Sequence, residues 1–304
     1  MNCFFSIIIP CYNRVAFLPK LLDGMARQTF ADFEVLLVDD GSTDGTREYI
    51  QSQAYPFLRY IYQANAERSA ARNNGISAAN GTYLFFLDSD DTLPPDTLQH
   101  LHRAILAAGS PVAVFGTRRI YLKNGTDFSH EQFDLSTGRT AKNILLATGT
   151  VPVDQCAHRN CFETNRFDPR FTLWEDTHLW LRVLQQYPCI GVSEARIRVN
   201  IHGDSTVAQG LQTVRLQDVH RYRHAVLDLL QYPELFPKDE FEPILHQYVF
   251  AKYRMYIYQA RINRQYDICS ALLKEARGFG SDRPYQLKTG LKIALAKYLK
   301  IRLS

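Results

Sequence analysis

"YLFFLDSDDTLPPDTL", residues 83–98, runs from a strand-like apolar block into three acids, Asp88, Asp90 and Asp91, and then into a double proline. An unbroken apolar run of this length is the pattern of a strand buried on both faces; a half-exposed strand would alternate. An Asp at the end of such a strand cannot remain charged and unpaired in a core. Carboxylates this close also repel one another unless a cation or hydrogen-bond donors compensate. In the simplest arrangement the acids point to water and cap the following helix, which suits Asp91 and Asp96. Asp88 and Asp90 flank a single residue at the strand end, so both can reach a common point. Oxygen ligands of this kind suit Mg2+ or Mn2+ shared with phosphate oxygens.

The same pattern repeats on either side. "FFSIII" (4–9), "FEVLLV" (33–38), "FLRYIY" (57–62) and "PVAVFG" (111–116) are further buried strands, and Pro10 is expected to stop the first. Helices are expected between them. One covers 18–28 with Leu18, Leu21, Leu22 and Met25 on one face. The next begins after Ser42 or Thr43 as its cap. A third covers 67–80 despite Gly75, and a fourth covers 95–108 with proline in its first turn. Strand and helix alternating in this way give an α/β fold, a mostly parallel sheet with helices on both faces. Ligands in such folds sit beyond the carboxyl ends of the strands. The polar clusters "PCYNR", "DDGSTDGT" and "DSDD" fall at those ends. The pattern loosens from 118 to about 160, with Asn124-Gly125 as a turn; 176–187 is amphipathic, and the chain beyond about 215 is helical.

Composition is that of an ordinary globular protein: 304 residues, 46% hydrophobic and 22% charged. The six cysteines (3, 11, 156, 161, 189, 269) form no CxxC and no second close pair beside 156/161, so scattered reduced thiols are expected rather than a zinc site. The start "MNCFFSIIIP" lacks a basic leader region, and no apolar run approaches the ~18 residues of a membrane span. A cytoplasmic protein is the expectation. Charge is uneven: beyond residue 250 there are twelve Lys and Arg against three Asp and Glu. The basic, amphipathic segment 287–304 is a candidate for peripheral contact with the inner face of the plasma membrane. No nucleic-acid motif accompanies it.

Two known patterns fit the 83–92 stretch. One is the DxDx[TV] strand end of haloacid-dehalogenase-type phosphatases or phosphotransferases, with Asp88 and Asp90 as the working acids. It would also want a downstream Gly-Asp-x-x-x-Asp, which is absent. The other is the Asp-x-Asp of nucleotide-sugar glycosyltransferases. "SIIIPCYNR" (6–14), "QTFADFEVLLVDDGSTDGT" (28–46), "ARNNGISAANGTYLFFLDSDD" (71–91) and "WEDTHLWLRV" (174–183) occur in order. Together they strongly resemble the family 2 glycosyltransferases of GT-A fold, over roughly residues 5–206.

That resemblance implies an inverting enzyme that moves a hexosyl or N-acetylhexosaminyl group from a nucleotide-sugar, a UDP-sugar by preference. The acceptor would be a hydroxyl on a surface polysaccharide, lipid-linked carrier or other glycan of the cell envelope. It implies three regions. Residues 1–117 form the nucleotide-sugar-binding half, 118–214 the acceptor-binding half with the catalytic base, and 215–304 a helical C-terminal region with the basic tail. By the same resemblance Pro10, Tyr12 and Asn13 line the base, Asp40 accepts its N–H, and Asp39 supports that loop. Arg72 lies near the nucleotide or its phosphates. Asp88 contacts ribose or metal, and Asp90 binds Mn2+ or Mg2+ directly. Asp176 matches the base that deprotonates the acceptor, and Glu175 supports it or touches the acceptor. On its own this pair is simply acid at a helix N-terminus, favoured by the dipole. His202 resembles a histidine that contacts the metal or diphosphate, although Asn200 stands where relatives carry arginine. Trp174 is a candidate for stacking on a sugar, and Trp180 for the core.

Overall fold

The computed structural model describes residues 3–109, 112–123, 126–133, 135–202, 213–280 and 288–294. They fall into two compact units, 1–143 with 150–201, and 144–149 with 202–304.

The first unit is built on an eight-stranded sheet. Its strands are β1 (Phe5–Cys11), β2 (Phe33–Asp39), β3 (Leu58–Tyr62), β4 (Tyr83–Phe86), β5 (Val114–Lys123), β6 (Thr126–Phe133), β7 (Cys156–His158) and β8 (Cys189–Ile201). The order is β3-β2-β1-β4-β7-β5-β6, with β8 also paired to β5. β1 to β4 run parallel, as do β5 and β8; β7 is antiparallel to β4 and β5, and β6 to β5. The helices are α1 (Leu18–Ala26), α2 (Thr46–Gln51), α3 (Glu67–Ala78), α4 (Thr97–Ala107), α5 (Ala141–Leu146) and α6 (Glu175–Leu184).

The apolar strands are covered on both sides. Phe5, Ile7 and Ile9 of β1 share one core with Leu18, Leu21 and Leu22 of α1 and Leu98 and Leu101 of α4. Ile8 faces the other way, against α3. A Cβ on Gly75 would lie 2.4 Å from the Ile8 Cγ2. The glycine that weakens α3 as a sequence pattern therefore lets the helix lie close on the sheet.

Several expectations need correcting. Pro10 does not stop β1, which continues to Cys11 in register with Asp39. The carbonyl of Ile8 accepts from Leu87 N and that of Cys11 from Asp40 N, so even-numbered β1 residues face β4. Pro10 thus faces the space past the end of β4, where its missing N–H costs no ladder bond. Neither Ser42 nor Thr43 caps α2; the helix starts after Gly45, and Asp44 Oδ1 takes the Thr46 N–H at 3.1 Å. Asp96 makes no cap bond on α4 and instead pairs with His100 four residues on. Position 117, expected to divide two halves, lies inside β5. The three-residue β7 was not anticipated at all. The Asn124-Gly125 turn lies outside the described residues.

In the second unit, α7 (Leu216–Asp228) is followed by α8 (Lys238–Ile262) and α9 (Tyr266–Ala276), and residues 288–294 form a short α10. Glu275 of α9 gathers His220, Arg223 and Tyr253, tying three helices together. Among the described residues no helix is long and apolar enough to cross a membrane. Residues 287 and 295–304 of the basic tail lie outside the description.

Candidate active site

Parallel pairing of β1, β2 and β4 brings their carboxyl ends, and so the polar clusters, to one edge. The first wall is the loop pair after β1 and β2. Asn13 adopts a left-handed backbone, φ 52°. Its N–H donates to Ser42 Oγ at 2.9 Å, and its Oδ1 accepts from Thr43 N at 2.8 Å. Val15 N donates to Asp44 Oδ2 at 3.0 Å. The two loops are thus sewn together beside Tyr12, which is 50% exposed. Asp39 is fully buried and accepts from Ser42 N at 2.8 Å and from the Tyr60 hydroxyl at 2.5 Å. Asp40, also buried, uses Oδ1 to accept from Gln63 Nε2 at 2.7 Å and Ala66 N at 2.8 Å. Its Oδ2 has no hydrogen-bond partner among the described residues.

The second wall is assembled from distant parts of the chain. Arg72, on the inner face of α3, is 3% exposed, so it is no solvent-facing helix arginine. Its Nη2 donates to Asp88 Oδ1 at 2.9 Å and its Nη1 to Glu175 Oε1 at 3.1 Å. The guanidinium also sits over the Phe167 ring, 5.2 Å from its centre. One buried arginine therefore joins the strand-end acid to the acid pair at the start of α6. Burial alone would raise the Asp88 carboxyl; the Arg72 and Arg68 charges outweigh it and hold Asp88 below its usual value. Trp174 enters α6 with a left-handed backbone, φ 67°, which sets Glu175 and Asp176 as the first helical residues. Trp174 itself is largely buried, and Trp180 is core as expected. Burial, and then the neighbouring Glu175 charge, push Asp176 up to about 7.

Asp91 corrects the sequence expectation. It does not point to water but is buried, and its Oδ1 accepts from Asn200 N at 3.1 Å. Asn200 Nδ2 also donates to the Asp90 carbonyl, and Thr92 bridges Arg198 through paired backbone bonds. Asn200, noted only as a departure from relatives, holds the 90–92 loop onto β8. Burial and the charges of Asp90 and Asp88 drive the Asp91 carboxyl well above its usual value.

Sequence reasoning missed Arg119. It extends from β5, donates from Nε to buried Asp154 Oδ2 at 3.0 Å, and puts a positive charge within reach of Asp88, Asp91 and Asp176. Nothing in its surroundings in the chain ("GTRRIYL") marks it. The signal is the β5–β7 pairing, which exists only in the folded sheet.

Among the described residues no three His, Cys, Asp or Glu side chains converge as a ready-made metal cage, and Cys156 and Cys161 are buried free thiols. The donors at the β4 end still fit a hard divalent cation. They are crowded carboxylates: burial first, and then the charges of Asp90 and Asp88, raise Asp91. Mg2+ and its kin commonly take only one or two carboxylates and fill the other positions with phosphate oxygens and water. His202 lies just after β8, at the start of the second unit.

Comparison with known proteins follows the same lines. The sequence model of glycosyl transferase family 2 matches residues 6–162. An uncharacterized glycosyltransferase of Bacillus subtilis is 43% identical over 98 residues, 32% of this chain and 28% of that protein. The chain matches only 16–36% of the length of the first curated relatives. Among solved structures, S. aureus TarS in complex with UDP-GlcNAc superposes with a TM-score of 0.60 at 18% identity, over 98% of this chain and 92% of that one. A Pyrobaculum calidifontis mannosyltransferase in complex with GDP-Man and Mn2+ gives 0.58 at 18% identity, over 98% and 81%. These likenesses show a shared GT-A fold.

Proposed function

Because the chain belongs to glycosyl transferase family 2, we propose that it transfers a sugar from a nucleotide-sugar, most simply a UDP-sugar, to a hydroxyl acceptor with inversion at the anomeric carbon. One observation carries the reading: Arg72 draws Asp88 and Glu175 to a single point, with Asp176 beside them near neutral pKa. A donor's leaving group and an acceptor's base must face each other across one reacting carbon, and this geometry supplies acids for both sides. The family match also decides against a phosphatase reading of Asp88 and Asp90.

In this reading the uracil lies on Tyr12 and beside Pro10 and Asn13, with its N3–H donated to the open Oδ2 of Asp40. Asp39 keeps that loop in place from below. Asp88 and Asp90 hold Mn2+ or Mg2+ with the donor's diphosphate, and His202 is a further proposed contact to either. A cation held by Asp88 and Asp90 would supply charge neutralisation for a diphosphate leaving group. Asp176 takes the acceptor's proton as the new bond forms; a base with pKa near 7 is suited to that task at neutral pH. Glu175, fixed by Arg72, orients Asp176 and raises its proton affinity through its charge. A single base with no second nucleophile placed against the donor implies one displacement and hence inversion. The fit to a UDP-linked hexose or N-acetylhexosamine rests on Asp40 and on the likeness to proteins that bind such donors. A glycan or lipid-linked acceptor of the cell envelope is the corresponding expectation.

A thermal-shift screen of UDP-, GDP- and dTDP-sugars with and without Mn2+ tests this. A UDP-sugar should raise the melting temperature by mass action, and more so with Mn2+. No shift with any nucleotide-sugar at millimolar concentration refutes it.

A further inference from the structure

α8 carries an outer face that the active site does not use. Met255, Tyr258 and Ile262 stand three and four residues apart, which places them on one stripe of the helix. Each is exposed by half or more, and Leu291 of α10 is 63% exposed. These are four of the eight large hydrophobic side chains left exposed among the described residues, and the other four are scattered along the chain. Single exposed apolar residues are ordinary; a row of them marks a contact surface.

The charges that line the clefts beside this row are of one sign. The cleft beside α8 is bounded by Arg254, Arg261 and Thr289, and a second cleft beside α10 by Lys274 and Arg277. Neither has a carboxylate in its described wall. Arg261, Lys274, Arg277 and Lys288 make no ion pair with any described residue. Of the two acids on the adjoining helix, Glu275 is already taken by His220, Arg223 and Tyr253, and Asp267, in its first turn, lines neither cleft. Arg261 lies over the Tyr258 ring, 5.3 Å from its centre, which keeps cation and aromatic together at one level.

We propose that this face of the second unit docks on an anionic lipid bilayer. Met255, Tyr258, Ile262 and Leu291 enter the headgroup region, and Arg261, Lys274, Arg277 and Lys288 meet acidic headgroups. A helix lying in the plane of a bilayer needs this composition: apolar and aromatic side chains along one stripe, with cations beside them. Arginine and lysine stems can lie along the apolar layer while their heads stay wet. A second copy of the chain is a poor occupant. A two-fold contact would set the same uncompensated cations against one another. This face lies wholly within residues 254–294.

The test is co-sedimentation of the full chain with vesicles. One set is phosphatidylcholine alone and the other contains phosphatidylglycerol. The protein should pellet with the acidic vesicles at low salt and be released by high salt. Two full-length variants, M255E/Y258E/I262E and R261Q/K274Q/R277Q, should each lose at least about tenfold in apparent affinity. Both should keep the wild-type thermal shift with UDP and Mn2+, which separates a lost surface from a lost fold. Equal binding of wild type to neutral and acidic vesicles overturns the proposal. So does undiminished binding of the charge variant, or a wild-type dimer by size exclusion that the apolar variant splits.

Discussion

Two groups of acids sit at the same edge of one sheet, and they are held in opposite ways. The pair at the end of β2 is held by the protein: Asp39 by Ser42 and Tyr60, and one oxygen of Asp40 by Gln63 and Ala66. The acids after β4 and at the start of α6 crowd several negative charges around a single arginine that pairs with two of them. Arg72 compensates Asp88 and Glu175, while Asp91 and Asp176 are left with raised proton affinity. The first group is a finished piece of scaffold that offers one open oxygen. The second is poised, with negative charge that a cation or a proton must complete. Sites that carry chemistry tend to retain such unbalanced charge, because compensating it fully would remove its reactivity.

The contrast can be broken by substitution. The largest effect is expected at Asp176. Asp176→Asn should lower transfer by about 10³-fold, as loss of a general base does, and leave UDP binding nearly unchanged. Retention of wild-type transfer would show that another group takes the proton. Next comes Asp39→Ala. It strands a buried backbone N–H and a tyrosine hydroxyl, so it should cost about 3 kcal/mol in urea-unfolding stability. A cost below about 1 kcal/mol would mean the β2 pair is not the fixed scaffold described.

Asp90→Asn should do the reverse. Folding stability should hold, since removing one of three crowded charges relieves repulsion, while Mn2+-dependent UDP affinity falls by about tenfold or more. Calorimetry with and without Mn2+ distinguishes the two.

The smallest effect is in pH dependence. The folded Asp176 carboxyl holds its proton up to about 7, above the unfolded carboxylate value. Between those values the native state binds more protons, so its stability falls as pH rises. The melting temperature of unliganded Asp176→Asn should therefore exceed that of wild type most at pH 8, by less at pH 5, and match it only near the unfolded carboxylate value of about 4. Transfer, which needs the ionised form, should rise with pH through about 7. A flat difference between the two proteins across this range would contradict the proton affinity assigned to Asp176.

Much of this arrangement was open to reading in the chain itself. Short apolar blocks such as "SIIIP" and "YLFFL", bounded by polar turns, read as strands buried on both faces, and the alternation with helices makes their sheet mostly parallel. A parallel sheet then brings Asp40 and Asp88 to one edge. Short and two-sided elements escaped. β7 has three residues, too few for a period, and without it β5 and Arg119 have no visible relation to β4.

What the sequence alone determined was the kind of fold, the sheet edge where the polar clusters fall and the acids gathered there, because hydrophobic period and strand polarity are local properties. What only the tertiary structure decided was which of those acids share a counter-charge. Arg72 reaches acids 16 and 103 residues away, and Asn200 holds a loop 110 residues before it. A charge's partner depends on distance through the fold and on burial, and no pattern along the chain carries either.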